Sequence, residues 1–239
     1  MNKSANVDVQ QCNNLEDFYR NAVLTVLSKI SASLAEHGRC SIAVSGGSTP
    51  RRLFELLAEE RDVVWSDVHI FWVDERCVPP DHRDSNFNMA HEALFSKISI
   101  PGANVHRIVT EGFSPSEAAA SYEMQLKEFF GGVLPVFDLV LLGMGADGHM
   151  ASLFPGDEAL GEKERWVVAV DGEHGIPIVP RVTLTLPVLN NARCSIFLVA
   201  GEDKMPLVDE ILSDPEGVAK KYPAAMVHPK GELIWIISG

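Results

Sequence analysis

FDLVLL at residues 137–142 runs straight into GMGADGHMASLFP at 143–155, and the reading of this junction decides the fold. The first six residues are apolar on both faces apart from Asp138, the pattern of a strand buried in a parallel sheet. Gly143 and Gly145 then allow turn conformations closed to residues that carry a Cβ. His149 is thereby placed at the carboxyl end of a parallel strand, the side on which such sheets hold their ligands.

The same alternation of strand, turn and helix extends outward in both directions. Leu15, Phe18, Ala22, Val26, Ile30 and Leu34 recur at helical spacing, which predicts a helix over 14–37 capped by Asn14 and closed by Gly38. A short apolar strand follows at 40–44, then the turn SGGST, a helix over 50–60 and a strand over 68–73. Further strands are expected at 105–108, 166–170, 181–185, 195–200, 224–227 and 233–237, with helices over 86–97, 115–130 and 204–212. This order predicts an α/β fold: a mainly parallel sheet with helices on both faces. No repeat or linker divides the chain, so residues 1–239 are expected to form one domain, with 1–13 as a flexible N-terminal segment.

Acidic residues outnumber basic ones by 33 to 20, a formal charge of −13, which disfavours nucleic acid and anionic membrane as partners. An anionic substrate must then be captured by local donors against the field of the whole chain. No apolar run reaches membrane-spanning length and the first residues, MNKSANVDVQQCNN, lack the apolar core of a secretory signal, so the chain is expected to be soluble and cytoplasmic. Cys12, Cys40, Cys77 and Cys194 are widely spaced without a CxxC pair, which points away from zinc and from a disulfide framework. Cys40 and Cys194 lie in apolar strand patterns and are expected in the core.

Four stretches besides the histidine turn carry chemistry. Ser45, Gly46, Gly47, Ser48 and Thr49 lie between a strand and a helix, where small residues expose backbone N–H groups suited to a phosphate. The loop has neither the GK[ST] of a Walker A motif nor GxGxxG spacing, and read alone it is equally an ordinary strand-to-helix turn. Asp74, Glu75 and Arg76 end a strand on the same rim; they fit a solvated ion pair, or a guanidinium that holds phosphate or an oxyanion. Ser85 and Asn86 read as a helix cap. Arg181 and Lys204 are further cations near strand ends, each unremarkable alone. His149, with Asp147 two residues before it, has no neighbouring histidine in a metal-ligand spacing; general acid or base work suits it better, since an ordinary imidazole exchanges its proton near neutrality.

Together, SGGSTP at 45–50, WVDERCVP at 72–79 with SN at 85–86, GMGADGHMASLFP, PRVTLT at 180–185 and GEDK at 201–204 resemble the 6-phosphogluconolactonase family, in the family's order and across residues 15–237. The resemblance implies a Rossmann-like three-layer αβα sandwich, no metal or organic cofactor, and a phosphosugar lactone as the small-molecule partner of a monomer or weak homo-oligomer. The wider superfamily includes glucosamine-6-phosphate deaminase, whose members share the glycine loop and GxDGH. In those enzymes a glutamate follows five residues after the histidine, where this chain has Phe154, and their strand-end motif reads DEY where this one reads DER. By the resemblance, His149 acts on a water with Asp147 orienting it, and Arg76 lies near the reacting carbonyl. The glycine loop with Arg181 and Lys204 would hold the phosphate, and Asp74, Asn86 and Gly145 would complete the site. Met150 departs from the pattern, which has threonine there. Besides the lactonase, a deaminase and a catalytically silent sugar-phosphate-binding protein remain as alternatives.

Overall fold

The structure is a computed structural model that describes residues 6–239. Its centre is a seven-stranded, wholly parallel sheet made of β1 (Asn6–Cys12), β2 (Cys40–Val44), β3 (Val68–Trp72), β5 (Val105–His106), β6 (Leu139–Leu142), β9 (Cys194–Ala200) and β10 (Glu232–Ser238). The spatial order is β1-β10-β9-β6-β2-β3-β5. From β2 the chain winds one way through β3 to β5, and from β6 it winds the other way through β9 to β10. The order therefore reverses between β2 and β6, and a crevice opens beyond the carboxyl ends of strands at such a switch. The two loops that leave β2 and β6 are the glycine loop and the His149 turn.

Helix α1 (Leu15–His37) begins at Asn14, whose side chain accepts from the Asp17 N–H, and stops at Gly38 in a left-handed conformation. It lies across β10, β9 and β2, with α2 (Ser48–Leu57) beside it and α3 (Asn86–Ala93) beside α2. Phe18, Ala22, Val23, Val26, Ile30 and Ser33, separated by one, three or four residues, form the face that α1 buries. Asp138, the polar letter before β6, is buried and accepts from the backbone N–H and the hydroxyl of Ser41, both at 2.8 Å, so it clamps β6 to β2 at their amino ends. Helix α4 (Pro115–Phe129) opens on a capping box formed by Ser114 and Glu117, and its Tyr122 hydroxyl bonds both the N–H and the carbonyl of Trp72. Cys12, Cys40 and Cys194 are buried, Cys77 is half-buried, and all four thiols are free.

A second, antiparallel sheet of order β4-β8-β7 is built from β4 (Asp74–Arg76), β7 (Val167–Val170) and β8 (Arg181–Leu184). The strands expected at 166–170 and 181–185 thus leave the parallel sheet. Val73 is the link: its N–H bonds Val44 of β2 while its carbonyl accepts from Leu184 of β8, so one residue passes the chain from the first sheet to the second. The remaining helices are α5 (Leu186–Leu189), α6 (Met205–Ser213) and α7 (Pro215–Val218). Two expectations are corrected. Residues 224–227, read as a strand, are instead the 3-10 helix Pro223–Met226 and its extended cap Val227; Ala224, Ala225 and Val227 are apolar because they are buried. Residues 6–12, read as part of a flexible segment, form edge strand β1 in parallel register with β10; residues 1–5 of that segment lie outside the described residues.

Candidate active site

The histidine turn is folded by its own backbone. Gly145 N–H donates to the carbonyl of His149 at 2.9 Å, Gly148 N–H donates to Gly145, and Met150 and Leu153 pair as an isolated bridge. A Cβ on Gly145 would lie 2.2 Å from Cε1 and Nδ1 of His149, so only glycine lets the imidazole fold back over the turn. Asp147 Oδ1 accepts from the backbone N–H of His149 at 3.1 Å and meets Nδ1 of its ring at 2.5 Å. Burial alone would raise the Asp147 carboxyl, but these bonds from His149 outweigh it and leave the pKa below the ordinary aspartate value. An ionised carboxylate only accepts, so Nδ1 is the donor in this contact, and in the neutral imidazole the lone pair then belongs to Nε2. On the other side the ring rests against Phe154, centroids 4.6 Å apart.

Across the crevice, Gly47 takes φ 108° and hands the chain to α2, which starts at Ser48, two residues earlier than expected. Its first N–H groups have no partner inside the helix and Gly47 offers no side-chain cap, the condition in which a helix end accepts an anion. Ser45 anchors the loop by donating its hydroxyl to Leu141 O of β6 at 2.9 Å.

The third wall is the β4–β8 pair. Arg76 and Arg181 are directly opposite each other in its register, two cations side by side with Asp74 and Glu75 as counter-charges. Arg76 Nη1 donates to Asp84 O, while Arg181 Nη2 donates to Pro177 O and its guanidinium lies over the Phe154 ring at 5.6 Å. Burial, with Arg76 adding to it and Asp74 opposing, pulls the Arg181 pKa below the ordinary arginine value. Nε of each arginine is buried without a hydrogen-bond partner, a donor that a bound anion would satisfy. Lys204 reaches in from the segment after β9 and donates to Met144 O at 2.8 Å.

One cavity gathers Ser45, Gly46, Gly47, Ser48 and Thr49 with Asp74, Arg76 and Asn86. Gly145, His149, Arg181 and Lys204 also line it. Asp147 stands behind His149 and is not part of the wall. Asn86 does more than begin a helix: Ser85 is the cap of α3, and Asn86 Nδ2 donates to Asp74 O at 2.9 Å. Sequence reasoning missed Met144, Ala151 and Leu198 in the lining, and it did not foresee that Met150 is buried there. Glu75, read from sequence as part of a solvated ion pair, is instead buried, and its carboxylate accepts from Arg76 N, Asn86 N, Phe87 N and the Ser85 hydroxyl and so fastens α3 to β4. Burial pushes that carboxyl above the ordinary glutamate value, with the four donors opposing. The sole signal for Glu75 was its place beside Arg76. Among the described residues, no three His, Cys, Asp or Glu side chains are grouped to hold a metal, and no helix is long and apolar enough to cross a membrane.

The family described as glucosamine-6-phosphate isomerases/6-phosphogluconolactonase matches residues 13–235. Among curated relatives, a 6-phosphogluconolactonase of Synechocystis sp. is 43% identical over 219 residues, 90% of this chain and 89% of the relative. One of Nostoc sp. is 41% identical over 89% of this chain and 87% of its own length. Among solved structures, the 6-phosphogluconolactonase of Thermotoga maritima superposes with a TM-score of 0.86 at 34% identity, covering 98% of this chain and all of that one. That of Trypanosoma cruzi gives 0.86 at 31% identity, covering 99% of this chain and 96% of its own.

Proposed function

The chain belongs to the glucosamine-6-phosphate isomerase/6-phosphogluconolactonase family, and from that premise we propose that it hydrolyses 6-phosphoglucono-1,5-lactone to 6-phosphogluconate, with His149 as the general base, in the oxidative pentose phosphate route. The observation that carries the reading is the pairing of His149 Nδ1 with Asp147, which leaves Nε2 as a base in a cavity whose far wall is an uncapped helix end.

In this mechanism Nε2 takes a proton from water as its oxygen attacks C1, and the carbonyl oxygen becomes an oxyanion beside Arg76. Collapse of the tetrahedral intermediate breaks the bond from C1 to the ring oxygen. The imidazolium returns its proton to that oxygen, so the base is regenerated and the product is the open-chain acid. Asp147 orients the ring and stabilises its charged form. The N–H groups of Ser48 and Thr49, the 45–49 loop, Arg181 and Lys204 hold the phosphate, while Asp74 and Asn86 set the spacing between the two ends. Phe154 against the imidazole supports hydrolysis over deamination, because no carboxylate stands where the deaminases carry their glutamate.

The test is a coupled assay for 6-phosphogluconate formed from freshly generated lactone, with spontaneous hydrolysis subtracted. The phosphorylated lactone should be favoured in kcat/KM over unphosphorylated gluconolactone by more than about tenfold, equivalent to about 1.4 kcal/mol of phosphate recognition. Equal use of both lactones would remove the phosphate site, and ammonia release from glucosamine 6-phosphate would favour the deaminase.

A further inference from the structure

We propose that Ser152 is a positioning residue of this site, setting the His149 turn against β4 through Asp74; the proposal rests on the lactonase reading above. Ser152 is fully buried three residues beyond His149, and its hydroxyl donates to Asp74 Oδ2 at 2.6 Å. Its backbone N–H donates to Thr183 Oγ1 at 3.3 Å. Asp74 and Thr183 are directly opposite each other in the β4–β8 register, so Ser152 is held by both members of one cross-strand pair.

The contact continues past Asp74. Asn86 Nδ2 donates to the carbonyl and, at 3.3 Å, to Oδ1 of the same aspartate. The Asn86 side chain in turn occupies the space that a Cβ on Gly46 would need, with Oδ1 only 1.8 Å from that position. A single chain of contacts, Ser152 to Asp74 to Asn86 to Gly46, therefore joins the histidine turn to the anion-binding loop by way of β4 and the start of α3.

The turn keeps its own shape by bonds that do not involve Ser152, such as Gly145 to His149 and Leu153 to Met150. Ala151, at φ 50°, sits just before Ser152, so the chain there is committed to a conformation that non-glycine residues rarely take. The Ser152 hydroxyl thus fixes where the turn sits, not how it is folded. The anion-binding loop has a separate anchor in Ser45 on Leu141 O. Loss of the Ser152 hydroxyl should accordingly separate turnover from phosphate binding.

The experiment compares kcat and KM on the lactone for wild type, Ser152→Ala, Asp74→Ala and the double variant. It adds calorimetric binding of 6-phosphogluconate and a thermal midpoint for each. Ser152→Ala should lower kcat about tenfold or more, the scale of a displaced catalytic group, with KM and product affinity within about twofold of wild type. The double variant should be no more than about twofold slower than Asp74→Ala alone, since both changes break one contact. An unchanged kcat, losses that multiply in the double variant, or a KM that rises in step with a falling thermal midpoint would overturn the proposal. Should Ser152→Ala not fold, Ser152→Cys, similar in size and a weak donor, is read by the same criteria. A wild-type protein without lactonase activity removes the functional reading instead. The imidazole resonances of His149 then decide the positioning role: they shift in Ser152→Ala if Ser152 sets the turn and stay in place if it does not.

Discussion

A Cβ on Gly145 would meet the imidazole of His149 at 2.2 Å and Oδ1 of Asp147 at 2.7 Å, so this glycine is required by a close approach. Gly145→Ala must push the ring away from the carboxylate that fixes its tautomer. We expect kcat to fall by at least about tenfold while the thermal midpoint barely changes, because the clash is with a half-exposed side chain and not with the core. A variant with wild-type kcat would show that the contact between His149 and Asp147 is not needed. Asp147 has a lowered pKa, so that contact is complete above the ordinary aspartate value and is lost only as pH falls through the lowered one. At the same scale, legibility followed chemistry. His149 and Arg76 drew notice because each brings a proton or a charge to a strand end, whereas Arg181 and Lys204, unremarkable alone, joined them only through the resemblance of the surrounding motifs. The roles of Glu75 and Ser152 were not legible, because they lie in the partners that folding brings to them across the β4–β8 pair.

At the β3–β5 edge, His69 Nδ1 and His106 Nε2 are 3.1 Å apart, and the His106 ring stacks on Phe71 at 4.2 Å. Burial, with the neighbouring His69 adding to it, pulls His106 down to about 4. A histidine of the unfolded chain titrates near about 6.5. The stability that comes from keeping His106 neutral is therefore intact above that value and is lost as pH falls from it toward 4. Urea midpoints at pH 7 and pH 4.5 should differ in wild type, and His106→Gln, which cannot titrate, should narrow the difference. An equal difference in both proteins would place the acid sensitivity elsewhere. Elements were most legible where periodicity was long, as in α1 and α4, and least where it was short. Three residues of β4 carry too little pattern to announce a strand, and NVDVQQC mixes apolar with polar letters because β1 has a neighbour on one side only. An apolar run such as 224–227 reports burial, which a 3-10 turn satisfies as well as a strand.

On the scale of the molecule, the order reversal between β2 and β6 puts the glycine loop and the histidine turn on either side of one crevice. The second sheet then folds over to supply Arg76 and Arg181. The parallel sheet was legible from alternation; the antiparallel sheet was not, since its strands have the same local pattern and differ only in the neighbours they find. The formal charge of −13 makes this cluster of cations a local exception, the character expected of a site for an anion. The proposed mechanism depends on one atom, Nε2 of His149, which would take the proton from water. Its most direct test is the initial rate of lactone hydrolysis by wild type and His149→Ala at pH 7, with spontaneous hydrolysis subtracted. The expected result is a fall in kcat of at least about 100-fold, the usual contribution of a positioned general base, with KM nearly unchanged. A His149→Ala enzyme within about threefold of wild-type kcat would contradict it, since that is far less than such a base contributes.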